Sequence, residues 1–105
     1  MKEYRIKWQK STVKEISDIV CYLCDEIDDP YAAASVIDSI IAATETLADF
    51  PLAFPVFTTP YLTQKFVHRR LVVKNYVVIF RVNQRNRTVF IEHVIHARRN
   101  YTEML

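Results

Sequence analysis

Three β-rich runs separated by very short polar stretches constrain the fold of this chain more than any other feature. They span residues 67–73, 76–82 and 87–95, and only Lys74-Asn75 and residues 83–86 lie between them. β-Branched and aromatic residues favour strands, and polar turns this short join neighbouring antiparallel strands. The sequence therefore predicts an antiparallel meander of three strands.

The residues before the meander predict one strand and two helices. Residues 3–8 alternate between apolar and basic side chains, which is typical of a strand buried on one face. Thr12-x-x-Glu15 has the spacing of a capping box, and apolar residues at helical spacing behind it predict a helix over 12–28. Asp29-Pro30 predicts the N-cap and first turn of a second helix, which should stop before Phe50-Pro51.

The predicted order is β-α-α-β-β-β, an α+β fold in which a helical hairpin packs on one face of a small, mainly antiparallel sheet. Residues 51–66 hold three prolines among aromatic residues, so we expect an ordered loop there. A length of 105 residues suits a single domain over 1–105.

Composition excludes several classes of function. The chain has no glycine, which excludes glycine-rich phosphate loops and dinucleotide-binding motifs. Cys21 and Cys24 form a lone C-x-x-C within the first predicted helix, and no second ligand pair matches it, so we expect reduced packing cysteines, no metal and no cofactor. There is neither an apolar run of about 20 residues nor a secretory signal, so we expect a cytoplasmic protein.

Charge is divided along the chain. Residues 1–60 carry five Lys/Arg and ten Asp/Glu, a balance of −5, whereas residues 61–105 carry nine and two, a balance of +7. All three histidines also fall in the second part. The net charge of +2 therefore hides a basic region that would attract a polyanion or an acidic protein.

Strand pairing predicts which of these side chains share a surface. If Lys74-Asn75 is a two-residue turn, Val73 pairs with Tyr76 and His68 with Arg81; a four-residue second loop pairs Val82 with Arg87 and Phe80 with Val89. The face expected under the helices comprises Val67, Leu71, Val73, Tyr76, Val78, Phe80, Val82, Val89, Ile91 and Ile95. The face expected to be open comprises His68, Arg70, Lys74, Arg81, Glu92 and His96, with Val72, Val77, Ile79, Phe90 and Val94 between them. Arg69 and His93 do not fit either face and are expected at the sheet edge.

Such a surface suits two kinds of chemistry. Arginines can hold phosphates and stabilise charge at a cleaved phosphodiester while a His or Tyr moves protons. The same surface could instead dock an acidic protein segment. The helical carboxylates are expected to be a solvated face, and no catalytic triad can be argued from the sequence.

Several segments occur together along nearly the whole chain, and their order and spacing are more specific than any one fragment. The segments are the opening strand, residues 13–19, Asp29-Pro30-Tyr31-Ala32-Ala33-Ala34, Leu47-Ala48-Asp49-Phe50-Pro51, Arg70-Leu71-Val72-Val73, residues 75–82 and residues 94–101. Together they resemble the RelE/ParE superfamily, the toxins of type II toxin–antitoxin modules.

The resemblance implies one of two mechanisms. RelE-like members are metal-independent, ribosome-dependent mRNA endoribonucleases, and their pattern usually has an Arg directly after the aromatic residue that opens the third strand. Val77 stands there in this chain, although Arg98 matches a second basic residue of the pattern. ParE-like members inhibit DNA gyrase, and residues 76–82 followed by Val94-Ile95-His96 resemble them more closely. We therefore favour the ParE-like reading.

The resemblance also implies site residues and a partner. If the chain is a nuclease, the catalytic candidates are Arg70, Arg81, His96, Arg98 and Tyr101. The target-binding basic face would comprise His68, Arg70, Lys74, Arg81, His96, Arg98 and Arg99. A cognate antitoxin would bind the helical hairpin and the 51–66 loop in a hetero-oligomer, and the target would be gyrase, or the ribosome with its mRNA. A non-toxic binding module with a basic sheet face is the alternative class.

Overall fold

A computed structural model describes residues 3–59 and 65–98. The strands are β1 (Arg5–Trp8), β2 (Val56–Phe57), β3 (His68–Val73), β4 (Tyr76–Asn83) and β5 (Thr88–His96). The helices are α1 (Lys10–Cys21), which continues into a π-helical segment (Tyr22–Glu26), and α2 (Pro30–Glu45). Short 3₁₀ turns follow at Thr46–Ala48 and Pro51–Ala53.

The five strands form one sheet in the order β1-β5-β4-β3-β2. β1 runs parallel to β5, and every other neighbouring pair is antiparallel. The helical hairpin covers one face, so the predicted α+β architecture with a mainly antiparallel sheet is confirmed. β2 is an addition, because it forms within the segment that the sequence predicts as loop.

The main core lies between the helices and the sheet. Ile40 of α2 and Leu47 of the following turn are fully buried against sheet residues such as Val78, Phe80 and Ile91. Each large apolar side chain buried in this way contributes about 1.5–3 kcal/mol relative to an exposed one. This layer of contacts fixes the helices over one face, and none of the helices within residues 3–59 and 65–98 covers the other.

The second helix begins as the sequence predicts. The backbone N–H of Ala32 donates to Oδ1 of Asp29 at 3.0 Å, and Pro30 occupies the first helical turn. Asp29 is thus the N-cap, which satisfies one of the free N–H groups of the first turn. The helix ends at Glu45, so the prediction that it stops before Phe50-Pro51 is also confirmed.

The predicted start of the first helix is wrong. The helix begins at Lys10 rather than Thr12, and its N-cap, Gln9, makes no capping bond through its side chain. The fully buried hydroxyl of Thr12 donates instead to the carbonyl oxygens of Ile91 (2.8 Å) and Glu92 (2.6 Å). Thr12 and Glu15 therefore do not form a capping box. Both side chains instead bond the backbone of β5, Glu15 by accepting from the N–H of Val94.

Helix α1 takes over from β1 as the hydrogen-bonding neighbour of β5. β1 pairs with β5 only as far as Trp8, opposite Ile91. Beyond that point the N–H of Gln9 donates to the Ile91 carbonyl at 3.3 Å, and Glu15 Oε1 accepts from the N–H of Val94 at 3.2 Å. Backbone N–H and C=O groups at a strand edge need hydrogen-bond partners when they are buried. The start of the helix supplies these partners to the part of β5 that extends beyond β1.

The predicted pairing of β3 with β4 is confirmed along its whole length, from Val73–Tyr76 to His68–Arg81. The predicted pairing of β4 with β5 is wrong by two residues, because Val82 pairs with Val89 rather than with Arg87. Arg87 belongs to the turn, where it adopts a left-handed φ of 55°. A shift of two residues leaves each side chain on its predicted face.

A bulge at Glu92 then exchanges the faces at the end of β5. Phe80 pairs with Ile91, but the next residue, Ile79, pairs with His93, so Glu92 has no partner in the ladder. One extra residue reverses the alternation of a strand. Val94, predicted on the open face, consequently lies in the helix-covered core, and Ile95, predicted in that core, lies opposite Val77.

Candidate functional site

The open face of the sheet is the surface on which the sequence places its candidate residues. Here we use the name open face for the side of β1, β5, β4 and β3 that carries no helix. Its ladder positions run from Arg5 and Lys7 through Phe90 and Arg81 to His68 and Arg70. The pairing brings His68, Arg70 and Arg81 together there, as predicted.

Arg81 occupies the centre of the open face but is not a free cation. Its guanidinium carbon lies 4.0 Å from the ring centroid of Phe90 and 4.3 Å from that of Phe66, so the group is stacked between two rings. Its Nε lies 2.7 Å from Oε1 of Glu92, and the two side chains are only 18% and 15% exposed. Stacking and pairing of this kind hold the guanidinium in place and cancel its charge locally.

His68 completes this network. Its Nε2 lies 3.4 Å from Oε2 of Glu92, and its side chain is only 2% exposed. The carboxylate of Glu92 therefore serves both Arg81 and His68, and the bulge places it between them. His68 is predicted as part of a target-binding surface, but its burial assigns it to the interior of that surface.

Beside this network the open face has a small apolar cluster of its own. Val77 (2% exposed) and Ile79 (0%) pack against Phe57 of β2. Phe57 comes from the 51–66 segment, so part of that segment is ordered cover for the sheet, as expected. Val77 is thus a packed core residue at the position where the RelE-like pattern carries an arginine.

Arg70 is the predicted cation that does remain available. It is exposed on the open face opposite Ile79, and Val72, the next open-face residue of β3, is 61% exposed. Arg69 points to the other side, where its guanidinium donates to the Phe54 carbonyl at 2.7 Å. Arg70 is therefore exposed on the face that the sequence predicts for it, at the end of the sheet near β2.

The sequence reasoning missed Arg5 and Lys7. They were assigned to the acidic half of the chain, but the parallel pairing of β1 with β5 carries both onto the open face, where both are exposed. Lys7 Nζ lies 5.9 Å from the ring of Phe90. Their alternation with Ile6 and Trp8 was the available signal, but the sequence did not indicate which strand β1 joins.

His96 is not on the open face, which corrects the prediction. Because of the bulge it pairs with Tyr76, and the two rings make an edge-to-face contact at 5.2 Å on the helix side. The N–H of Arg98 donates to Nδ1 of His96 at 3.1 Å. Both residues line a cleft of about 460 Å³ between α1 and the end of β5, together with Glu15, Asp18, Ile19, Tyr22, Tyr76, Val94 and Ile95.

Lys74 does not lie on the open face, and Val67 is not covered by the helices, so both predictions are wrong. Lys74 turns toward the helices, where its Nζ donates to Ser35 Oγ of α2 at 2.8 Å. Val67, expected under the helices, is 61% exposed. His93 lies at the α1 edge with its Nδ1 3.2 Å from Glu15 Oε2, in line with the expected edge position. Arg99 and Tyr101 lie outside the described residues.

The candidate catalytic residues therefore do not converge. Arg70 and Arg81 lie on the open face, whereas His96 and Arg98 lie at the cleft on the helix side. General acid–base catalysis requires its proton-transfer groups within about 3 Å of one reacting centre. The described residues thus form a basic surface with a buried charge network, rather than an assembled set of proton-transfer groups.

Neither the cysteines nor the helices indicate another class of site. Cys21 and Cys24 are free thiols. Within residues 3–59 and 65–98 there is no group of three or more His, Cys, Asp or Glu side chains that could hold a metal ion. Over the same residues, no helix is both long enough and apolar enough to span a bilayer.

Comparison with known proteins gives one family and several structures of the same fold. The sequence pattern of the family described as the ParE toxin of the type II toxin–antitoxin system parDE matches residues 6–101. No protein with a curated description matches the chain in sequence.

Among solved structures, the chromosomal ParDE system from P. aeruginosa superposes with a TM-score of 0.69 at 14% identity, covering 90% of this chain and 96% of that one. The archaeal RelE–RelB complex from Pyrococcus horikoshii OT3 gives 0.62 at 19% identity, covering 92% and 98%. The RelBE2 toxin–antitoxin complex from Mycobacterium tuberculosis gives 0.54 at 18% identity, covering 90% and 98%. At these identities the likeness shows a shared fold.

Proposed function

Since this chain belongs to the ParE toxin family of type II toxin–antitoxin systems, we propose that it arrests growth by inhibiting DNA gyrase. Its target-binding surface would be the open face together with the segment that begins at Arg98. The family match carries this proposal, because it extends over residues 6–101 and so includes every strand of that surface except the start of β1.

The environment of Val77 supports gyrase rather than messenger RNA as the target. The position that is basic in RelE-like members is here an apolar side chain, buried to 2% against Phe57 and Ile79. A phosphodiester in a cleavage site needs a cation to stabilise its developing charge, and Val77 supplies none. The separation of Arg81 from His96 across the sheet points the same way.

The RelE-like activity remains the second candidate because of Arg98 and the fold. Arg98 stands at the matching position after the last strand and is exposed. Two of the similar structures are RelE-type proteins. A ribosome-dependent cleavage would then need Arg98, Arg99 and Tyr101 to act beside the open face.

We further propose an antitoxin partner, so that the active form of the chain is released from a hetero-oligomer in the cytoplasm. The Pyrococcus and Mycobacterium proteins were solved as complexes of this kind. In this chain, large apolar side chains lie exposed on the helical hairpin and the following loop, including Tyr31 (87%), Phe50 (72%) and Val13 (55%). Apolar groups exposed to this extent are typical of surfaces that a partner covers.

One pair of assays tests the target. The purified chain is added to gyrase supercoiling reactions and, separately, to ribosomes programmed with messenger RNA. We expect loss of supercoiling or trapped cleaved DNA, with intact messenger. Arg70→Gln should weaken inhibition, whereas Lys14→Gln, which removes the same charge from an exposed position of α1, should not.

Three other outcomes would contradict the proposal. Codon-positioned messenger cleavage with unaffected gyrase would transfer the chain to the RelE-like activity. No effect in either assay, and no slowing of growth on expression, would indicate a non-toxic binding module. Equal weakening by Lys14→Gln and Arg70→Gln would remove the open face from the target contact.

A further inference from the structure

In the part of the chain that the structure describes, three exposed cations on the open face have no carboxylate partner. Arg5 and Lys7 come from β1, and Arg70 comes from β3. Among the ion pairs of residues 3–59 and 65–98, none involves these three side chains. The acidic residue of the open face, Glu92, is already engaged by Arg81 and His68.

The opposite layer of the molecule carries the acidic charge. Exposed carboxylates lie along the helical hairpin, at Asp18, Asp25, Glu26, Asp38 and Glu45. The protein is therefore polarised, with an acidic helical layer and a basic open face. A polarised protein of this kind turns its basic face toward a polyanion as it approaches.

We propose that the open face binds the phosphate backbone of duplex DNA through Arg5, Lys7 and Arg70. The inference goes beyond the proposed function, because it concerns DNA itself rather than the gyrase protein. It also separates the open-face arginines into two kinds: Arg70 contacts phosphate, whereas Arg81 does not, since Glu92 and the two rings already occupy its guanidinium.

The spacing of the three cations fits a duplex. Arg5 and Lys7 are two residues apart on one strand, which separates them by about 7 Å. Arg70 is three strands away in the order β1-β5-β4-β3, about 14 Å across the sheet, and it lies level with Ile79, two residues or about 7 Å along the strands from Lys7 and Arg81. Lys7 and Arg70 are therefore about 16 Å apart, which is of the same order as the roughly 12 Å width of the major groove that separates phosphates of the two DNA strands.

The aromatic residues argue against single-stranded nucleic acid. Proteins that bind single strands without sequence preference stack the bases on open aromatic rings. Here the rings of Phe90 and Phe66 both stack on Arg81, and Phe90 also lies near Lys7. Within residues 3–59 and 65–98, the two rings at the centre of the open face are therefore already engaged by a cation, which favours phosphates over bases as the contact.

The test is the salt dependence of binding to a fluorescently labelled duplex of about 20 base pairs, followed by anisotropy without gyrase. Three phosphate contacts predict that log K falls with log salt concentration with a slope of about −2.7. Lys7→Gln, Arg5→Gln and Arg70→Gln should each reduce the slope by about 0.9. Lys14→Gln, the matched control on α1, should leave it unchanged, and thermal melting of every variant should match that of the parent.

Several results would overturn the inference. Equal effects of Lys7→Gln and Lys14→Gln would mean attraction by net charge alone. Tighter binding of a single-stranded DNA or RNA of the same length would mean that bases are stacked after all. Competition by polyglutamate as effective as that by DNA would reassign the face to an acidic protein. Because gyrase is absent from this assay, the two proposals can fail separately. A chain that does not inhibit gyrase can still bind the duplex, and a chain that inhibits gyrase can fail to bind it.

Discussion

The two faces of the sheet are formed by alternating residues of the same strands, apart from the bulge in β5. They differ in how they accommodate charged side chains. The helix-covered face is a continuous apolar core in which Val78, Phe80 and Ile91 are fully buried. The open face has only the small cluster around Val77 and Ile79, and beside it lie cations. Burial on the first face comes from helices, and on the second it comes from rings, one carboxylate and a short strand.

This difference shows that exposure cannot be inferred from the absence of a helix. Arg81 and Arg70 lie on the same face of adjacent strands, but one is stacked, paired and largely buried while the other is exposed. The first stabilises the face, and the second is free to bind. The capacity of a basic surface to bind anions should therefore be judged from its unpaired cations. In this protein, two of these cations come from the otherwise acidic half of the chain.

The largest expected effect is the loss of stability when Arg81 of the open face is replaced. Arg81→Met keeps an apolar stem between the two rings but removes the guanidinium and leaves the largely buried Glu92 carboxylate with only His68 of these two partners, so we expect a loss of about 3 kcal/mol in the free energy of unfolding. Urea denaturation measures it. Arg70→Met, the matched change at an exposed site, should cost less than about 0.5 kcal/mol. Equal losses would show that Arg81 is an ordinary surface charge.

An intermediate effect tests how the covered side is attached to β5. Thr12→Val preserves shape but removes the hydroxyl that bonds the carbonyls of Ile91 and Glu92. The Ile91 carbonyl keeps its bond from the N–H of Gln9, whereas the Glu92 carbonyl loses the hydroxyl. An unsatisfied buried acceptor costs about 1–3 kcal/mol, so we expect a loss of about 1 kcal/mol by urea denaturation. Thr12→Ser keeps the donor and should lose less. A serine variant as unstable as the valine variant would mean that the methyl group, rather than the bond, matters.

The smallest effect concerns the hinge of the helical layer. Asp28 adopts a φ of 57° between the π-helical segment and α2. Asp28→Gly relieves the left-handed strain but adds freedom to the unfolded chain, so we expect a net gain of less than about 1 kcal/mol. Asp25→Gly, inside the π-helical segment, should instead lose about 0.3 kcal/mol, the difference in helix propensity between Asp and Gly. Thermal melting of both variants compares them, and a loss for Asp28→Gly would contradict the strain.

Local signals were enough for much of the fold. Lys74-Asn75 gave the register of β3 and β4, because a two-residue turn leaves no freedom in pairing. Asp29-Pro30 gave the start of α2, because cap and helix lie within three residues. In both cases the residues that decide the structure are neighbours in sequence, and their patterns can be read directly.

Long-range contacts explain the failures. Thr12 and Glu15 have the spacing of a cap, but their partners lie on β5, 79 residues away in the case of Thr12 and Ile91. Nothing near Glu92 marks the bulge that moves His96 from the open face to the cleft. Arg5 and Lys7 were likewise missed, because their place on the sheet depends on the parallel pairing of β1 with β5.

That parallel pairing also determines an order of events during folding. Among the strands of residues 3–59 and 65–98, β1 is synthesised first and its partner β5 last. Pairings between segments this distant in sequence form slowly because of the entropy of closing the loop, whereas the β3–β4–β5 hairpins can form locally. We expect the meander to fold first, with β1 and α1 joining β5 afterwards. Arg5 and Lys7 would then reach the open face only after β5 has folded, so the basic surface is the part of the sheet that is completed late.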